Sequence, residues 1–124
     1  MIRDSGYLES VLHHDIPLTQ DMGLKVLSWQ GHQLRLHLPL PANINHKSTM
    51  FGGSLYCGAV LAGWGWLHLS LLEAGIEDGH IVIQEGHITY PLPVIEDAIV
   101  LCDAPDSGAW NKFWPCTSAM GERD

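Results

Sequence analysis

Residues 45–54, "NHKSTMFGGS", run directly into residues 55–72, "LYCGAVLAGWGWLHLSLL". The second stretch is eighteen residues long and contains no Asp, Glu, Lys or Arg. A helix of that length and apolarity is either a membrane span at the lower limit or the central helix of a soluble core. Gly58, Gly63, Gly65, His68 and Ser70 interrupt the run, no basic cluster flanks it, and no second such segment follows, so a buried core helix is expected and a membrane span is not. Ser54, Gly58 and Ala62 are spaced four apart, with Ala59 and Gly63 in a neighbouring row. One face is therefore a stripe of small residues that lets a second element approach the helix backbone. Glu73-Ala74-Gly75 supplies the stop.

Upstream of this helix the pattern changes. Tyr7, Leu8, Val11 and Leu12 fall at helical spacing behind a possible N-cap at Asp4 or Ser5, which predicts a short amphipathic helix ending before Pro17. Residues 24–29 and 34–40 flank Gly31. In the second segment Leu34, Leu36, Leu38 and Leu40 alternate with polar Arg35 and His37, the mark of a hairpin with one buried face. Pro39, Pro41 and Asn43 break that pattern and open the loop toward Phe51. Downstream, residues 80–90 form a long β-branched run ended by Pro91 and Pro93, and residues 97–103 form another short apolar run; both are expected as strands.

A chain of 124 residues, 46% hydrophobic and 16% charged, is long enough for one folded unit, so a single domain over residues 1–124 is expected, with an atypical tail at 114–124. The formal charge of -8, with six Lys and Arg scattered singly, offers no stripe for a phosphate backbone, and no nucleic acid partner is expected. Cys57, Cys102 and Cys116 are odd in number and lack CxxC spacing, which suits reduced thiols. The first residues, MIRDSGYLES, lack an apolar signal core, and a cytoplasmic protein is expected. His13-His14-Asp15 are adjacent on a helix and point apart, so neither a metal nor a cofactor is anticipated. Trp29, Trp64, Trp66, Trp110 and Trp114 are read as packing residues rather than a cofactor cage.

The segments "NHKSTMFGGSLYCGAVLAGWGW" and "IVIQEGHITYPLPV", in this order and spacing, resemble the thioesterase domain of the YiiD type, a hotdog-fold family. The similarity runs from about residue 16 to residue 113. It implies an α+β hotdog fold, an antiparallel sheet wrapped around a long central helix. It also implies acyl-CoA or acyl-carrier-protein thioesters as substrates, and a homodimer or higher homo-oligomer with the site at the subunit interface. Family members normally continue with a basic turn and two further strands, whereas this chain ends PCTSAMGERD; a C-terminally shortened sheet is expected, from a truncated or frameshifted gene in the preferred account or from an alternative end to the fold, with reduced contact to the phosphates of coenzyme A or to an acidic carrier protein.

The start of the long helix carries the candidate chemistry. Backbone N–H groups there have no helical acceptor and bear partial positive charge, and glycine lets a ligand carbonyl come close. Phe51, Gly52, Gly53 and Ser54 thus form a candidate oxyanion hole for a thioester, with the Gly53 N–H as principal donor; two glycines could equally just permit a tight turn into the helix. By resemblance Asn45 is the orienting amide, while His46 is a candidate base or simply a loop histidine. Many hotdog hydrolases place an acid on the central helix about two turns after the glycines; here those positions are Val60 and Leu61. Glu73 is too distant to replace it, which leaves Glu85 and His87 as substitute candidates. Without a carboxylate, decarboxylation of a malonyl thioester, which needs mainly enolate stabilisation, is the alternative reaction. A non-catalytic acyl-binding or assembly module is the alternative class.

Overall fold

The computed structural model describes residues 4–77 and 79–106. Helix α1 (Ser5–Asp15) begins where the Asp4 carboxylate accepts the Tyr7 N–H at 3.0 Å, a cap that stabilises such a helix by about 1 kcal/mol. Leu8 and Leu12 are fully buried on its inner face. A single turn, α2 (Leu18–Asp21), leads into strand β1 (Lys25–Gln30). The Glu9 carboxylate accepts the Val26 N–H at 2.8 Å and so ties α1 to β1.

Strand β1 pairs antiparallel with β2 (Gln33–Leu38) across Gly31 and His32, whose φ angles of 56° and 58° give the two-residue turn that matches strand twist. A register shift between Val26 and Ser28 leaves Leu27 facing outward. Leu34, Leu36 and Leu38 are each at 0% exposure, as their alternation requires. The strand ends one residue before Pro39, and Leu40 instead introduces a short 3₁₀ turn, Pro41–Asn43. Strand β3 (Ala98–Cys102) adds antiparallel to β2, giving a sheet of order β1-β2-β3 among the described residues.

Helix α3 (Gly52–Glu73) lies across this sheet. It has the length and apolarity of a membrane span, yet Gly58, Leu61, Ala62, Gly65, Trp66 and Leu69 are buried in the core. Gly58 and Gly65 are where the sheet comes closest. An added Cβ would stand 2.8 Å from Leu38 Cδ1 at Gly58, and 2.9 Å from Leu34 Cδ2 at Gly65. The small-residue stripe thus runs through Gly58, Ala62 and Gly65, while Ala59 is exposed and none of the described residues stands within 4 Å of a Cβ at Gly63. The helix ends at Glu73, followed by Gly75 at φ 82°.

One expectation is overturned. Residues 80–90 form no strand; no ladder hydrogen bond joins them to β1, β2 or β3. β-Branched composition fits a residue to a pleated surface but does not supply a neighbour, and β3 pairs only with β2 among the described residues. The atypical tail, Trp110, Trp114 and Cys116 lie outside the described residues. The remaining architecture, an antiparallel sheet packed on one long central helix, is the hotdog arrangement.

Candidate active site

The loop that enters α3 is held by backbone and buried side-chain bonds. Asn43 is 4% exposed, and its amide donates to the Met22 carbonyl at 2.9 Å and the Pro39 carbonyl at 2.8 Å. Its own carbonyl accepts the Phe51 N–H at 2.8 Å, while the Met50 N–H reaches the Val94 carbonyl at 2.8 Å. Between these anchors Asn45 closes a small turn. Its Oδ1 accepts from the N–H groups of Lys47 and Thr49, and its Nδ2 donates to Thr49 Oγ1 at 2.8 Å. One N–H of the Asn45 amide is left over from these three bonds. His46 is exposed beside it.

Phe51 occupies the N-cap of α3 and has no capping side-chain oxygen. Its carbonyl takes the N–H groups of Ser54 and Leu55, at 3.0 and 3.1 Å. The Gly52 and Gly53 N–H groups are left without an acceptor among the described residues. Ser54 therefore offers a ligand its hydroxyl but not its backbone donor. The Phe51 ring, 56% exposed, folds against Gly53, where an added Cβ would clash with it. On the other side, the Tyr90 hydroxyl donates to the Gly52 carbonyl at 2.9 Å.

A cavity of about 640 Å³ opens one turn further along, between α3 and residues 81–88. Tyr56, Val60, Gly63, Trp64 and Leu67 line it from the helix, and Ile16 and Ile83 from elsewhere. Its walls are mainly apolar. His87 lines this cavity, whereas Glu85 is exposed on the same segment and lines neither this cavity nor a second one of about 610 Å³ between residues 88–97 and β3. Val60 faces the cavity and Leu61 is buried in the core, so neither of those helix positions brings a carboxylate to it.

The structure brings Asn45, His46 and Phe51–Gly52–Gly53–Ser54 into one continuous loop and helix start, and sets His87 apart in the cavity wall. In the sequence Asn43 figures only as a strand breaker and Tyr90 only as the end of a β-branched run. The signal for Asn43, an asparagine between two prolines and a glycine pair, reads only as a turn; Tyr90 is 38 residues from its partner, and no local pattern reveals such a pairing.

Fold and site together define a hotdog domain with an exposed, glycine-built helix start. The family whose description is "Putative thioesterase (yiiD_Cterm)" matches residues 5–121, and the chain belongs to that family. A solved protein of unknown function from Chlorobaculum tepidum TLS is 39% identical, with a TM-score of 0.82 over 90% of this chain and 68% of that one. A Shewanella oneidensis protein described as "the putative thioesterase" is 35% identical, with a TM-score of 0.78 over 84% of this chain and 76% of its own. A Pseudomonas aeruginosa protein of unknown function, described as "Probable Thioesterase", shares the fold at 21% identity and a TM-score of 0.68, over 95% of this chain and 74% of that one.

Proposed function

We propose that the protein hydrolyses acyl thioesters of coenzyme A or of an acyl carrier protein, in the cytoplasm and as a homodimer. The observation that carries this reading is the pair of N–H groups at Gly52 and Gly53, left without acceptors among the described residues at the start of a 22-residue helix and one turn from an apolar cavity. Charge develops on the thioester oxygen when water adds to the carbonyl, and donors already fixed in place stabilise it without reorganisation. The thioester oxygen sits on the Gly53 N–H, with Asn45 and His46 orienting the acyl group or the water, and Phe51, Gly52 and Ser54 around it. The acyl chain lies in the cavity beside His87, and Glu85 remains a more distant candidate. Collapse of the tetrahedral intermediate breaks the C–S bond and releases a carboxylic acid and a thiol. Support for self-association comes from Val82, Ile83, Leu92 and Ile95, which are 58–80% exposed along one segment.

The apolar Val60 favours a second reaction on the same scaffold. In decarboxylation of a malonyl thioester the C–C bond to the carboxylate breaks, carbon dioxide leaves, and the resulting enolate takes a proton at carbon. That path requires an oxyanion donor but no carboxylate base.

Size exclusion with light scattering, then thiol release from acyl-CoA and malonyl thioesters on the same sample, tests both. A discrete dimer releasing thiol supports hydrolysis; carbon dioxide with the thioester left intact supports decarboxylation. A folded oligomer silent on every substrate would leave a non-catalytic acyl-binding module.

A further inference from the structure

We infer that Tyr90 is a positioning residue that aims and polarises the Gly52–Gly53 peptide group; this rests on the reading of the Gly53 N–H as oxyanion donor. The Gly52 carbonyl and the Gly53 N–H belong to one planar amide. Tyr90 Oη donates to that carbonyl at 2.9 Å, and the ring lies 3.5 Å from where a Gly52 Cβ would stand. A hydrogen bond accepted at the oxygen of an amide draws density from its nitrogen, so the N–H on the far end becomes a stronger donor. Such chains strengthen each bond by roughly 10–30%. The sequence of groups is Tyr90 O–H, Gly52 C=O, Gly53 N–H and then the substrate oxygen.

The segment carrying Tyr90 is built to hold still. Pro91 restricts Tyr90 to extended backbone, and Pro93 does the same for Leu92. Two residues beyond Leu92, the Val94 carbonyl accepts the Met50 N–H at 2.8 Å, so one short stretch grips the glycine loop at two points. Tyr90 itself need not touch substrate.

The test is Tyr90→Phe in the full chain, which keeps the ring and removes the hydroxyl. In ¹⁵N-labelled protein the Gly53 amide proton is expected to move to higher field, while α1 amides stay in place as the control for folding. Where the wild type turns over a thioester, kcat should fall about three- to tenfold with KM nearly unchanged, because the lost stabilisation grows with charge in the transition state. An unmoved Gly53 resonance overturns the inference, as does a shifted resonance with unchanged kcat. A wild type silent on every thioester overturns the functional reading instead, and the Gly53 resonance then still decides the hydrogen-bond chain: a shift upholds it and no shift removes it.

Discussion

The Asn43 amide donates to the carbonyl of Met22, 21 residues earlier in the chain, and this buried bond fixes the loop from which α3 starts. A second bond, to Pro39, occupies the other amide proton. Asn43→Ala would leave both carbonyls without this donor and is expected to lower stability by about 1–3 kcal/mol. Urea denaturation followed by far-ultraviolet circular dichroism measures it; a variant as stable as the wild type would mean that the loop is held by its backbone bonds alone.

At Gly65 helix α3 comes close to both the sheet and α1. A Cβ there would meet Leu34 Cδ2 at 2.9 Å and Leu8 Cδ2 at 3.0 Å, and both leucines are at 0% exposure with nowhere to retreat. Gly65→Val is expected to destabilise by about 1–3 kcal/mol through overpacking, despite removing a flexible residue from a helix. The same substitution at Gly63, which opens onto the cavity, should leave stability nearly unchanged, and thermal unfolding of the pair separates them.

These two glycines show what could be read in advance and what could not. The apolar run and its small residues predict a core helix, and the Leu34, Leu36, Leu38 alternation predicts its partner face; both are local periodicities. The particular stripe, Gly58, Ala62 and Gly65 rather than Ser54, Gly58 and Ala62, depends on the angle at which the sheet crosses. Residues 80–90 have strand composition without a strand, because pairing is settled by a distant neighbour. The Gly52–Gly53 helix start was legible as a turn into a helix with free donors. Asn43 and Tyr90 were not, since their roles rest on contacts made across the chain.

Asp97 accepts the Leu40 N–H at 2.8 Å and the His37 ring N–H at 3.0 Å. The Leu40 bond most strongly holds its carboxyl below the ordinary 3.8; desolvation opposes this, and the His37 hydrogen bond and charge add to the lowering. A carboxyl lowered in the folded state contributes stability at pH values above its unfolded value, and that contribution is lost as pH falls through the folded one. The wild type should therefore lose stability on acidification from about pH 4 downward. Asp97→Asn should be less stable at neutral pH and should lack this part of the acid loss, so the two stability curves converge in acid.

Asn45→Asp retains an acceptor for the Lys47 and Thr49 N–H groups but loses the amide donor. Folding should survive, and thioester turnover should fall about 10²-fold if the amide orients substrate. Gly53→Ala displaces the Phe51 ring and is expected to give a loss of similar order with little change in unfolding midpoint. Steady-state thiol release on both variants checks this, and full activity in Asn45→Asp would remove Asn45 from the chemistry.

Burial pushes the Cys57 thiol up, and burial followed by the Asp103 carboxylate does so for Cys102. Since the thiolate is the nucleophile, both should be alkylated by iodoacetamide at pH 8 more slowly than free cysteine. Peptide mass mapping over time reads each site separately; rates equal to free cysteine would contradict the packing of Cys57 against Met22.

Trp29 and Trp66 meet edge to face with ring centroids 6.2 Å apart, one on the hairpin and one on the long helix. Trp66 Nε1 donates to the His32 carbonyl at the hairpin turn, and Trp29 Nε1 donates to Glu73 at the end of α3. Each indole is thus fastened to the element that carries the other. Two chromophores locked this way couple their electronic transitions, so the molecule contains its own optical gauge of hairpin-to-helix docking. An exciton couplet in circular dichroism should fade when that joint opens, reporting on it without a label.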